Sequence, residues 1–573
     1  MLLSILLFIF FKKICSLERL SGADYIIKRL EQYRINTIFG YPGGANLKLF
    51  DSLYKSTKIN TIINRNEQNS GFCAEGFAKT GKNIGVVFTT SGPGLTNIIT
   101  PLQDAYSDGI PLLAISGQVG SKSLGTSAFQ ECNAIELTKS CVKYNKLIDC
   151  IENLEYELDK SINIALNMRN GPVHLDICSD VFSSEYDFNF KEIQLKSLNM
   201  NSNNYYDIFT EIGDILKKSR KPVLIVGQGA NKYYNEVRLF VKKCNIPVAT
   251  TLHGVGIIDQ TDELSLGMVG MHGSVVANMA IQTADFIIGL GYRFDDRTIG
   301  NPELYALEAK NKYGIVHIDV SNEKINEVKK IINPKYSINT NCINFLNYMN
   351  TINIKSKKTE WITYLEIIKT SYDTEPEKDM TIPYIISKLS KKLESFKSYL
   401  ITTGVGVHQM NVAQYFKWKH PNTLLTSGSQ GTMGVGVHYA TGAQLAHPNK
   451  LVMCIDGDAS FMMSLDLMTI AENKIPVKIL IMDNENLQMV TNWQEKFYNK
   501  SYSGSKLKNP NFIKLANSMG ISALQCNNVD DIDNCIDEIL YSKYPLLIHF
   551  KVKGQRCLPF VAPGKALNDM ILE

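Results

Sequence analysis

The sequence lacks several features that would assign it at once to a class of protein. Its 12 cysteines form no Cys-x-x-Cys pair, so buried reduced thiols are favoured over disulfides or a zinc site. The net charge is only +4, and the charges are spread along the chain, so neither a nucleic acid nor a membrane surface is indicated as a partner. No repeat of short period is evident. With 573 residues, 44% of them hydrophobic, we expect three or four domains of about 150 residues each.

A long apolar run is also missing. Residues 2–11 are almost wholly apolar and are followed by Lys12 and Lys13, but they are too few to span a bilayer, which needs about 20. Their length suits the core of a secretory signal, yet no positive charge precedes them and no small-residue cleavage site follows. Residues 1–16 are either a targeting leader or the result of a truncated leader or a misplaced start codon. We expect the folded part to begin near Leu17.

Two polar, aperiodic stretches divide the chain, at residues 198–204 and 353–377. Elsewhere short β-branched runs alternate with amphipathic helices, which predicts three doubly wound α/β domains with mainly parallel sheets. We place an N-terminal domain at 17–190, a central domain at 205–350 and a C-terminal domain at 380–573. The predicted strands are 62–63, 85–90, 112–116, 223–226, 286–290, 315–318, 451–455, 477–482 and 546–550.

The most informative motif lies in the C-terminal domain. Asp458 follows the first of two apolar runs, and Asn484 follows the second. Parallel strands would bring both side chains to the carboxyl edge of one sheet, where open α/β sheets bind ligands. Carboxylate and amide oxygens suit Mg²⁺, which completes its octahedron with phosphate oxygens and water. Gly457, beside Asp458, lets the backbone approach a phosphate closely. This motif therefore predicts a magnesium and diphosphate site.

Glycine-rich loops punctuate the other two domains. Residues 39–44 follow a strand, and residues 91–97 follow another and open a helix, whose free N–H groups face a ligand. Glu67 stands between these loops. In the central domain the Gly227-x-Gly229 pair falls short of a full dinucleotide fingerprint. Asp319 ends a strand and is placed to bind a ribose hydroxyl.

With these motifs, the chain resembles the thiamine-diphosphate (ThDP)-dependent enzymes. Specifically, it resembles the catalytic (large) subunit of acetohydroxyacid synthase, also called acetolactate synthase, from about Leu17 to the C-terminus. The family motif is Gly-Asp-Gly followed by Asn-Asn; here Ala459 replaces the second glycine and Asp483 the first asparagine. Further matching segments are 125–131, 250–252, 266–273, 291–297, 405–410, 427–434, 488–494 and 558–564, the last resembling the family's lid-forming tail.

The resemblance implies roles for individual residues. Glu67 would hydrogen-bond N1′ of the cofactor's aminopyrimidine. Gln130 and Phe129 would line the reaction cavity, Arg297 would bind the carboxylate of a second 2-oxo acid, and Met489 and Trp493 would line the substrate channel from one helix face. The implied ThDP contacts are Gly43, Glu67, Val405, His408, Gly431, Met433, Gly457 and Met489, and the implied Mg²⁺ ligands are Asp458, Asn484 and the carbonyl of Asn486. The implied FAD contacts are Arg169, Gly227, Gly229, Thr251, Leu252, Met271, His272, Gly291, Arg293, Asp295 and Asp319.

Each assignment has a plain structural alternative. Glu67 could be a solvated loop residue, and Phe129 a core aromatic. Arg297 could form a surface ion pair with Asp295 or Asp296. Met489 and Trp493 could be an ordinary core pair.

The activity implied by the resemblance is decarboxylation of pyruvate and ligation of the two-carbon unit to a second 2-oxo acid. Pyruvate as acceptor gives 2-acetolactate, and 2-oxobutyrate gives 2-aceto-2-hydroxybutyrate. This reaction is the first common step of branched-chain amino acid (valine, isoleucine, leucine) biosynthesis. The flavin performs no net redox chemistry in this family. Two alternatives stay open: a ThDP-dependent 2-oxo acid decarboxylase or oxidase, and a diverged non-catalytic ThDP/FAD-binding homologue.

The resemblance also implies partners and a location. We expect a homodimer or tetramer with the active site between subunits, and a small regulatory subunit is an open question. We expect no nucleic acid and no transmembrane span. The location would be the cytoplasm in a bacterium, or a plastid or mitochondrion in a eukaryote.

Several positions depart from the family pattern. Val407 replaces a glutamine in the diphosphate loop, which removes one hydrogen bond to an anion, worth about 1.5–3 kcal/mol. Ser179 replaces a lysine near the channel, and Gln488 replaces a glycine before Met489. Asn339-Thr340 replaces a Gly-Asp pair near the adenine end of FAD, and the segment between the metal ligands is one residue shorter. These departures predict a diverged member with weakened cofactor binding.

Overall fold

Three six-stranded parallel sheets form the frame of the chain in the computed structural model. The structure describes residues 17–193, 205–354, 358–373, 375–396 and 398–573. The predicted leader at residues 1–16 and the predicted connection at 198–204 lie outside the described residues. The bounds proposed for the three domains stay predictions, and each contains one of the sheets.

The first sheet has the strand order β3-β2-β4-β5-β7-β6, and β1 pairs with β8 in a separate antiparallel ribbon. β4, β5 and β7 are buried along their whole length, as central parallel strands covered by helices on both faces must be. The strands are β1 (Leu17–Ser21), β2 (Thr37–Gly40), β3 (Asn60–Ile63), β4 (Gly85–Thr89), β5 (Leu112–Gln118), β6 (Tyr144–Ile148), β7 (Pro172–Cys178) and β8 (Glu185–Asn189). The helices are α1 (Gly22–Gln32), α2 (Leu47–Lys55), α3 (Glu67–Lys79), α4 (Pro93–Thr96), α5 (Ile99–Asp108), α6 (Ala134–Thr138), α7 (Leu154–Leu166) and α8 (Ser179–Ser183).

The second sheet has the strand order β11-β10-β9-β12-β13-β14. Its strands are β9 (Pro222–Val226), β10 (Val248–Thr250), β11 (Ser265–Met268), β12 (Phe286–Leu290), β13 (Ile315–Asp319) and β14 (Tyr336–Asn339). The helices are α9 (Tyr206–Lys218), α10 (Tyr234–Cys244), α11 (Val275–Thr283), α12 (Asp296–Ile299), α13 (Leu307–Asn311), α14 (Asn322–Ile331), α15 (Cys342–Thr351) and α16 (Thr359–Tyr372). Separate apolar cores cover the two faces of this sheet.

The third sheet has the strand order β16-β15-β17-β18-β20-β19, and β21 pairs with β22 in a short antiparallel ribbon. The strands are β15 (Tyr399–Thr403), β16 (Leu424–Leu425), β17 (Leu451–Gly457), β18 (Lys478–Asp483), β19 (Ser522–Cys526), β20 (Leu546–Lys551), β21 (Phe560–Val561) and β22 (Met570–Ile571). The helices are α17 (Ile382–Leu393), α18 (Val407–Tyr415), α19 (Gly436–Ala446), α20 (Asp458–Met462), α21 (Leu467–Glu472), α22 (Gln488–Phe497), α23 (Phe512–Ser518) and α24 (Ile532–Tyr541).

The predicted fold class is confirmed, and all nine predicted strands lie in or overlap observed ones. The second connection differs from its prediction, because the stretch 353–377 contains α16. Trp361 and Leu365 of this helix are buried against the second sheet's domain, and Trp361 Nε1 donates to the Pro222 carbonyl at 3.2 Å. Charged residues at the two ends of the stretch, Lys357 and Lys358 before the helix and Glu375 and Glu377 after it, hid the helix.

The N-terminal and C-terminal sheets are joined by paired helices. α3 lies along α19, with the Phe72 ring edge-on to Tyr439 at 6.4 Å between centroids. At the start of α3, Asn64 donates to Asp466 at 3.2 Å across the same boundary. Among the described helices, none is long and apolar enough to cross a bilayer. The eleven cysteines that the structure describes are unpaired thiols, and most are buried.

Candidate active site

The candidate site residues, apart from Arg169, which precedes β7, follow strands at the carboxyl edges of the three sheets. In the C-terminal sheet, four adjacent strands (β16, β15, β17 and β18) end in the loops that carry them. β17 and β18 are parallel neighbours, with Gly457 opposite Met482, so Asp458 and Asn484 come to one edge as predicted. This is the edge at which open α/β sheets bind ligands.

The three predicted metal ligands lie on two neighbouring turns. Asp458 starts α20 and is 3% exposed. Its Oδ2 atom accepts from the Glu485 amide at 2.9 Å, which ties it to the loop of Asn484. Asn484 Oδ1 accepts from the Asn486 amide at 3.1 Å. The set offers one carboxylate and asparagine oxygens, which are the hard oxygen donors that Mg²⁺ prefers. Clusters of three or more His, Cys, Asp or Glu suited to a metal are absent from the described residues.

Negative charge is concentrated beside this set. Burial raises the pKa of Asp458 to about 6, and the neighbouring Asp483 carboxylate acts in the same direction. Burial would also raise the pKa of Asp483, but hydrogen bonds from His549, Lys551 and Asn509 hold it well below its ordinary value. Asp483, which stands where the family has asparagine, is therefore ionised and neutralised from β20. A divalent cation at Asp458 would offset the charge that burial disfavours, so the residues present fit Mg²⁺.

Two further residues, one of them absent from the sequence-based predictions, hold the metal set in place. Asn509 Nδ2 donates to Asp458 Oδ2 at 2.7 Å and to Asp483 Oδ1 at 2.8 Å. Gln488 Oε1 accepts from Asn484 Nδ2 at 3.1 Å, which turns the amide of that ligand. The Gln488 departure thus has a partner in this chain. No sequence signal marks Asn509, since it is one asparagine in a polar loop far from the motif.

We expect Asn509→Ala to weaken Mg²⁺ binding about 10- to 100-fold, because outer partners of metal ligands contribute that much. The physical reason is that Asp458 loses the donor that fixes its carboxylate. Calorimetric titration with Mg²⁺ in the presence of ThDP measures this change. Asn517→Ala, on the exposed side of α23, is the matched control. Equal affinities for Asn509→Ala and the unaltered protein would contradict the assignment.

A buried histidine faces the glycine of the motif. His408 is 4% exposed, in the first turn of α18, and its Nε2 atom has no hydrogen-bond partner among the described residues. Asp456 Oδ1 lies 3.3 Å away but is not aligned for a hydrogen bond. A Cβ on Gly457 would lie 2.8 Å from His408 Nδ1, so only glycine permits this approach. An unpaired buried polar atom is rare, and a diphosphate would satisfy it.

Val407 is the first residue of α18, and its side chain is buried. It cannot supply the side-chain donor that the family's glutamine supplies. The backbone N–H groups of the first helical turn still face outward from the helix and bind anions. The backbone donors therefore remain at Val407, and only the side-chain donor is lost.

The loop 427–434 carries two further predicted ThDP contacts. Gly431 has φ 66°, and the Cβ it lacks would meet Val405 at 3.7 Å, so the loops after β15 and β16 touch. The Gly434 amide donates to Ser460 Oγ at 3.0 Å, which ties this loop to the metal motif. Met433 is half-buried between them. These predicted residues are brought together at one edge.

Glu67 is the first residue of α3, not a loop residue. Its Oε2 atom accepts from Asn97 Nδ2 at 2.9 Å, and the side chain is half-buried. Asn97 follows β4, and Gly43 follows β2, where its amide donates to Asn46 Oδ1 at 2.7 Å. The carboxylate thus stands at the carboxyl edge of the N-terminal sheet with one oxygen held and the other available.

Gln130 and Phe129 lie in a loop of unusual backbone. Gln130 has φ 62° and lies against Gly92, where the added Cβ would meet the Gln130 carbonyl oxygen at 3.0 Å. Phe129 is 88% exposed, so it is not a core aromatic within one chain. The loop is held by Gln118, whose Nε2 atom donates to the Cys132 carbonyl at 3.0 Å and to Asp176 Oδ2 at 2.8 Å.

The buried Asp176, which holds Gln118 beneath this loop, makes the free energy of unfolding depend on pH. Burial raises its pKa from 3.8 to about 6. Between those values the folded protein binds more protons at this group than the unfolded chain, so the free energy of unfolding falls as pH rises. Asparagine does not titrate, so the free energy of unfolding of Asp176→Asn lacks this fall. From about pH 5 to pH 8 we expect it to rise by about 1.5 kcal/mol relative to that of the unaltered protein. Urea unfolding across that range measures the gap, with the exposed Asp187→Asn as control. A gap that does not change with pH would contradict the prediction.

The predicted flavin glycines pack against each other. Gly227 follows β9 and Gly291 follows β12, and a Cβ on Gly227 would lie 2.2 Å from the Gly291 carbonyl oxygen. A Cβ on Gly229 would lie 2.8 Å from the Gly291 Cα atom. These glycines are required by the contact between two loops. They bring the carboxyl ends of the central strands into one surface.

Two arginines bring positive charge to this surface. Arg169 Nη2 and Arg293 Nη1 donate to the same carbonyl, that of Ser107, at 2.5 and 2.7 Å. Burial lowers the pKa of Arg169, and the charge of Arg293 lowers it further. Asp319 ends β13, and burial raises its pKa while the two arginines lower it. Paired guanidinium groups with an acid at the strand end fit the diphosphate and ribose of a dinucleotide such as FAD.

The remaining predicted flavin residues have protein partners. The Thr251 amide donates to Val226 at 3.0 Å, and Leu252 packs on the C-terminal core. Asp295 caps α12 and accepts from Thr298 Oγ1 at 3.1 Å. Met271 and His272 contact the C-terminal segment, and burial lowers the pKa of His272 to about 4. The Asn339-Thr340 pair supports Asp319, whose carbonyl accepts from both residues at 3.1 Å.

The predicted acceptor residues come from two domains. Arg297 is 62% exposed at its side chain, where Nε lies 3.7 Å from Asp296 Oδ2 and Nη1 donates to Met271 Sδ at 3.3 Å. The ion pair is long and exposed, so it contributes little and leaves the guanidinium free for a carboxylate. Met489 and Trp493 lie on α22, where both are half-buried and neither is part of the core.

An ionic network links the three domains beneath these loops. Asp108 is 2% exposed and accepts from Lys79 Nζ at 2.8 Å and from the Ser429 amide at 3.0 Å. His253 Nε2 lies 3.2 Å from the same carboxylate. Burial would lower the pKa of Lys79, but Asp108, Glu75 and Asp104 raise it. The sequence-based predictions did not include this network, although Asp104 and Asp108, four residues apart on α5, share one helix face.

Two departures from the family pattern, Ala459 and Ser179, fit their immediate surroundings without changing the backbone. Ala459 lies inside α20, where alanine is the most favourable residue and no positive φ is required. Ser179 starts α8 beside Gly120, with Ser179 Oγ 3.7 Å from where a Cβ of that glycine would stand. Serine cannot supply the charge of the family's lysine at this position.

Three family profiles match the chain, one for each sheet. They are the N-terminal TPP binding domain, the central domain and the C-terminal TPP binding domain of thiamine pyrophosphate enzymes, at residues 20–137, 209–348 and 404–550. Thiamine pyrophosphate is another name for ThDP. The profiles support ThDP as the cofactor of this fold.

Curated proteins from fungi, bacteria and plants match nearly the whole chain. The mitochondrial acetolactate synthase of Schizosaccharomyces pombe is 38% identical over 96% of this chain and 86% of its own length. The acetolactate synthase large subunit of Corynebacterium glutamicum is 36% identical over 96% of this chain and 90% of its own. The chloroplastic acetolactate synthase 2 of Nicotiana tabacum is 36% identical over 97% of this chain and 86% of its own length. The chain therefore belongs to the acetolactate synthase family of thiamine pyrophosphate enzymes.

Proposed function

We propose that this protein is an acetolactate synthase, a transferase that decarboxylates pyruvate and joins the two-carbon unit to a second 2-oxo acid. The products would be 2-acetolactate or 2-aceto-2-hydroxybutyrate, which begin branched-chain amino acid biosynthesis. The observation that carries the proposal is the link between Arg297 and Trp493 beside a ThDP fold. The exposed Arg297 guanidinium contacts Met271, Met271 bonds to Val561, and the neighbouring Phe560 contacts Trp493. A simple decarboxylase has no second acid to hold.

ThDP, when bound, supplies the electron sink for loss of carbon dioxide from a 2-oxo acid. Asp458, Asn484 and the Asn486 carbonyl would hold Mg²⁺, and His408 with the first turn of α18 would hold the diphosphate. The unpaired His408 Nε2 atom and the negative charge at Asp458 support this assignment. The Gly431 carbonyl and Met433 would orient the cofactor's rings, with Gly43, Val405, Gly457 and Met489 around them.

Glu67 would share a proton with N1′ of the aminopyrimidine. Its held and available oxygens support that role, because Asn97 fixes the carboxylate orientation while leaving the second oxygen free. Gln130 would line the cavity next to it.

FAD would lie at the carboxyl edge of the central sheet. Arg169 and Arg293 would bind its diphosphate, and Asp319 would bind a ribose hydroxyl. Gly227, Gly229, Thr251, Leu252, Met271, His272, Gly291 and Asp295 would surround it. Their common edge and the positive charge of the two arginines support this proposal.

The site would be completed by a second copy of the chain. Phe129, 88% exposed beside Gln130, supports an interface at this loop. We propose a homodimer or tetramer as the assembly. We also propose three domains, at residues 17–190, 205–350 and 380–573. Relatives named as mitochondrial, chloroplastic or bacterial support an organelle or the bacterial cytoplasm as the location.

The test is product analysis with purified protein, pyruvate, ThDP, Mg²⁺ and FAD. We expect 2-acetolactate. Acetaldehyde without acetolactate would replace the proposal with a 2-oxo acid decarboxylase. Val407 and Ser179 favour the second candidate, a non-catalytic ThDP/FAD-binding homologue, which would bind ThDP in calorimetry but form neither product.

A further inference from the structure

The C-terminal segment 557–561 joins the two elements that carry the candidate acceptor residues. The Val561 amide donates to the Met271 carbonyl at 2.9 Å, and the Met271 amide donates to the Arg297 carbonyl at 2.7 Å. Gln414 Nε2 reaches from α18 to the His272 carbonyl at 3.0 Å and to the Leu558 carbonyl at 3.4 Å. The segment is thus fixed to the Arg297 side by backbone hydrogen bonds.

Phe560 reaches from this segment to the Trp493 side. Its ring is 7% exposed and stands edge-on to Trp493, with 6.1 Å between centroids and 65° between planes. The His272 ring lies 5.3 Å from the Phe560 ring. Phe497 contacts both Trp493, at 5.4 Å, and Phe560, at 6.4 Å. Phe560 therefore contacts both the indole of Trp493 and the residue next to Met271, whose amide bonds the Arg297 carbonyl.

We propose that Phe560 is a specificity-determining positioning residue, which sets the room between Trp493 and Arg297 and so selects the acceptor by the size of its side chain. This inference rests on the proposed function, because it concerns the second 2-oxo acid. Arg297 would hold the carboxylate common to all such acids. The indole would contact what differs between them, a single methylene in the case of pyruvate and 2-oxobutyrate.

The physical reason lies in the ring contacts that restrict the indole of Trp493. Trp493 is half-buried, and the ring contacts of the indole are with Phe497, itself 44% exposed, and with Phe560. An edge-to-face aromatic pair restricts both rings, whereas an aliphatic side chain does not. Without the Phe560 ring the indole can turn away from the acceptor, and its apolar contact with the extra methylene weakens. Discrimination between acceptors falls, while the carboxylate contact at Arg297 stays.

The test is competition between equal concentrations of pyruvate and 2-oxobutyrate, with the ratio of 2-aceto-2-hydroxybutyrate to 2-acetolactate as readout. We expect Phe560→Leu to lower this ratio about 2- to 10-fold, the range of one aromatic pair, and Phe560→Tyr to keep it. Phe188→Leu is the matched control, because Phe188 is buried and stacked on Tyr25 at 3.9 Å, away from the candidate site. It should leave the ratio unchanged.

If Phe560→Leu does not fold, Phe560→Met keeps a long flexible apolar side chain in the same space, and the same fall is expected. An unchanged ratio in whichever folded variant lacks the ring overturns the inference, as does an equal fall in Phe188→Leu. Failure of the proposed function is seen separately, because the unaltered protein would then form neither product.

Discussion

Glu67→Gln is expected to lower turnover about 10²- to 10⁴-fold, the range for a positioned general acid–base group. Glutamine keeps the shape of the side chain and its bond partner Asn97. It cannot share a proton with N1′ of the cofactor, so the loss falls on chemistry and not on folding. Steady-state rates of acetolactate formation measure it, and flavin absorbance should show that FAD binding is retained.

Glu472→Gln is the matched control for this prediction. Glu472 is exposed and pairs with Arg65, two residues before Glu67 in the chain. It belongs to the same boundary between domains but has no proposed contact with the cofactor, so its turnover should stay near that of the unaltered protein. Full activity in Glu67→Gln would remove Glu67 from its proposed role. A matching loss in Glu472→Gln would make the effect structural.

Asp458→Ala is expected to weaken ThDP binding in the presence of Mg²⁺ by at least about 100-fold, since outer partners of a metal ligand alone contribute 10- to 100-fold. The substitution removes the single carboxylate of the proposed donor set. It also frees the Glu485 amide and Asn509, which now bond Asp458 Oδ2. Calorimetry with ThDP at fixed Mg²⁺ measures the change.

Asp530→Ala is the control, because Asp530 is 80% exposed at its side chain and pairs with Lys378 far from the motif. Its ThDP affinity should not change. Comparing three variants gives a sharper criterion: the ThDP affinity of Asn509→Ala should lie between that of Asp530→Ala and that of Asp458→Ala. Undiminished ThDP binding by Asp458→Ala would exclude Asp458 as the metal ligand.

The sheets could be predicted from the sequence because their central strands are continuous apolar runs. β12 and β13, for example, are buried over their full length and were predicted within one residue. Parallel pairing then follows from the alternation of strands and helices. The position of Asp458 beside Asn484 needed nothing more, because neighbouring parallel strands end at one edge. The family followed from short motifs in all three domains.

Contacts between distant loops could not be predicted. Asn509 reaches the site through tertiary packing, and no periodicity or spacing marks it. Gln488 and Phe560 lie in segments that matched the family, but the sequence did not show their contacts with Asn484 and Trp493. The role of Asp483 is similar: it departs from the family motif, but Lys551 on β20 neutralises its charge and His549 on the same strand hydrogen-bonds it. α16 was missed for a different reason. Only Trp361 and Leu365 of this helix are buried, and charged residues flank it on both sides. The proposed residue roles themselves came from the resemblance.

The stoichiometry of carbon dioxide release tests the central claim most directly. Purified protein with ThDP, Mg²⁺ and FAD is given pyruvate labelled at its methyl carbon, and the products are followed by NMR while carbon dioxide is measured. Ligation of two acids predicts one carbon dioxide for every two pyruvates, with label in both methyl groups of 2-acetolactate. Release of one carbon dioxide for each pyruvate, with labelled acetaldehyde as the product, would contradict it.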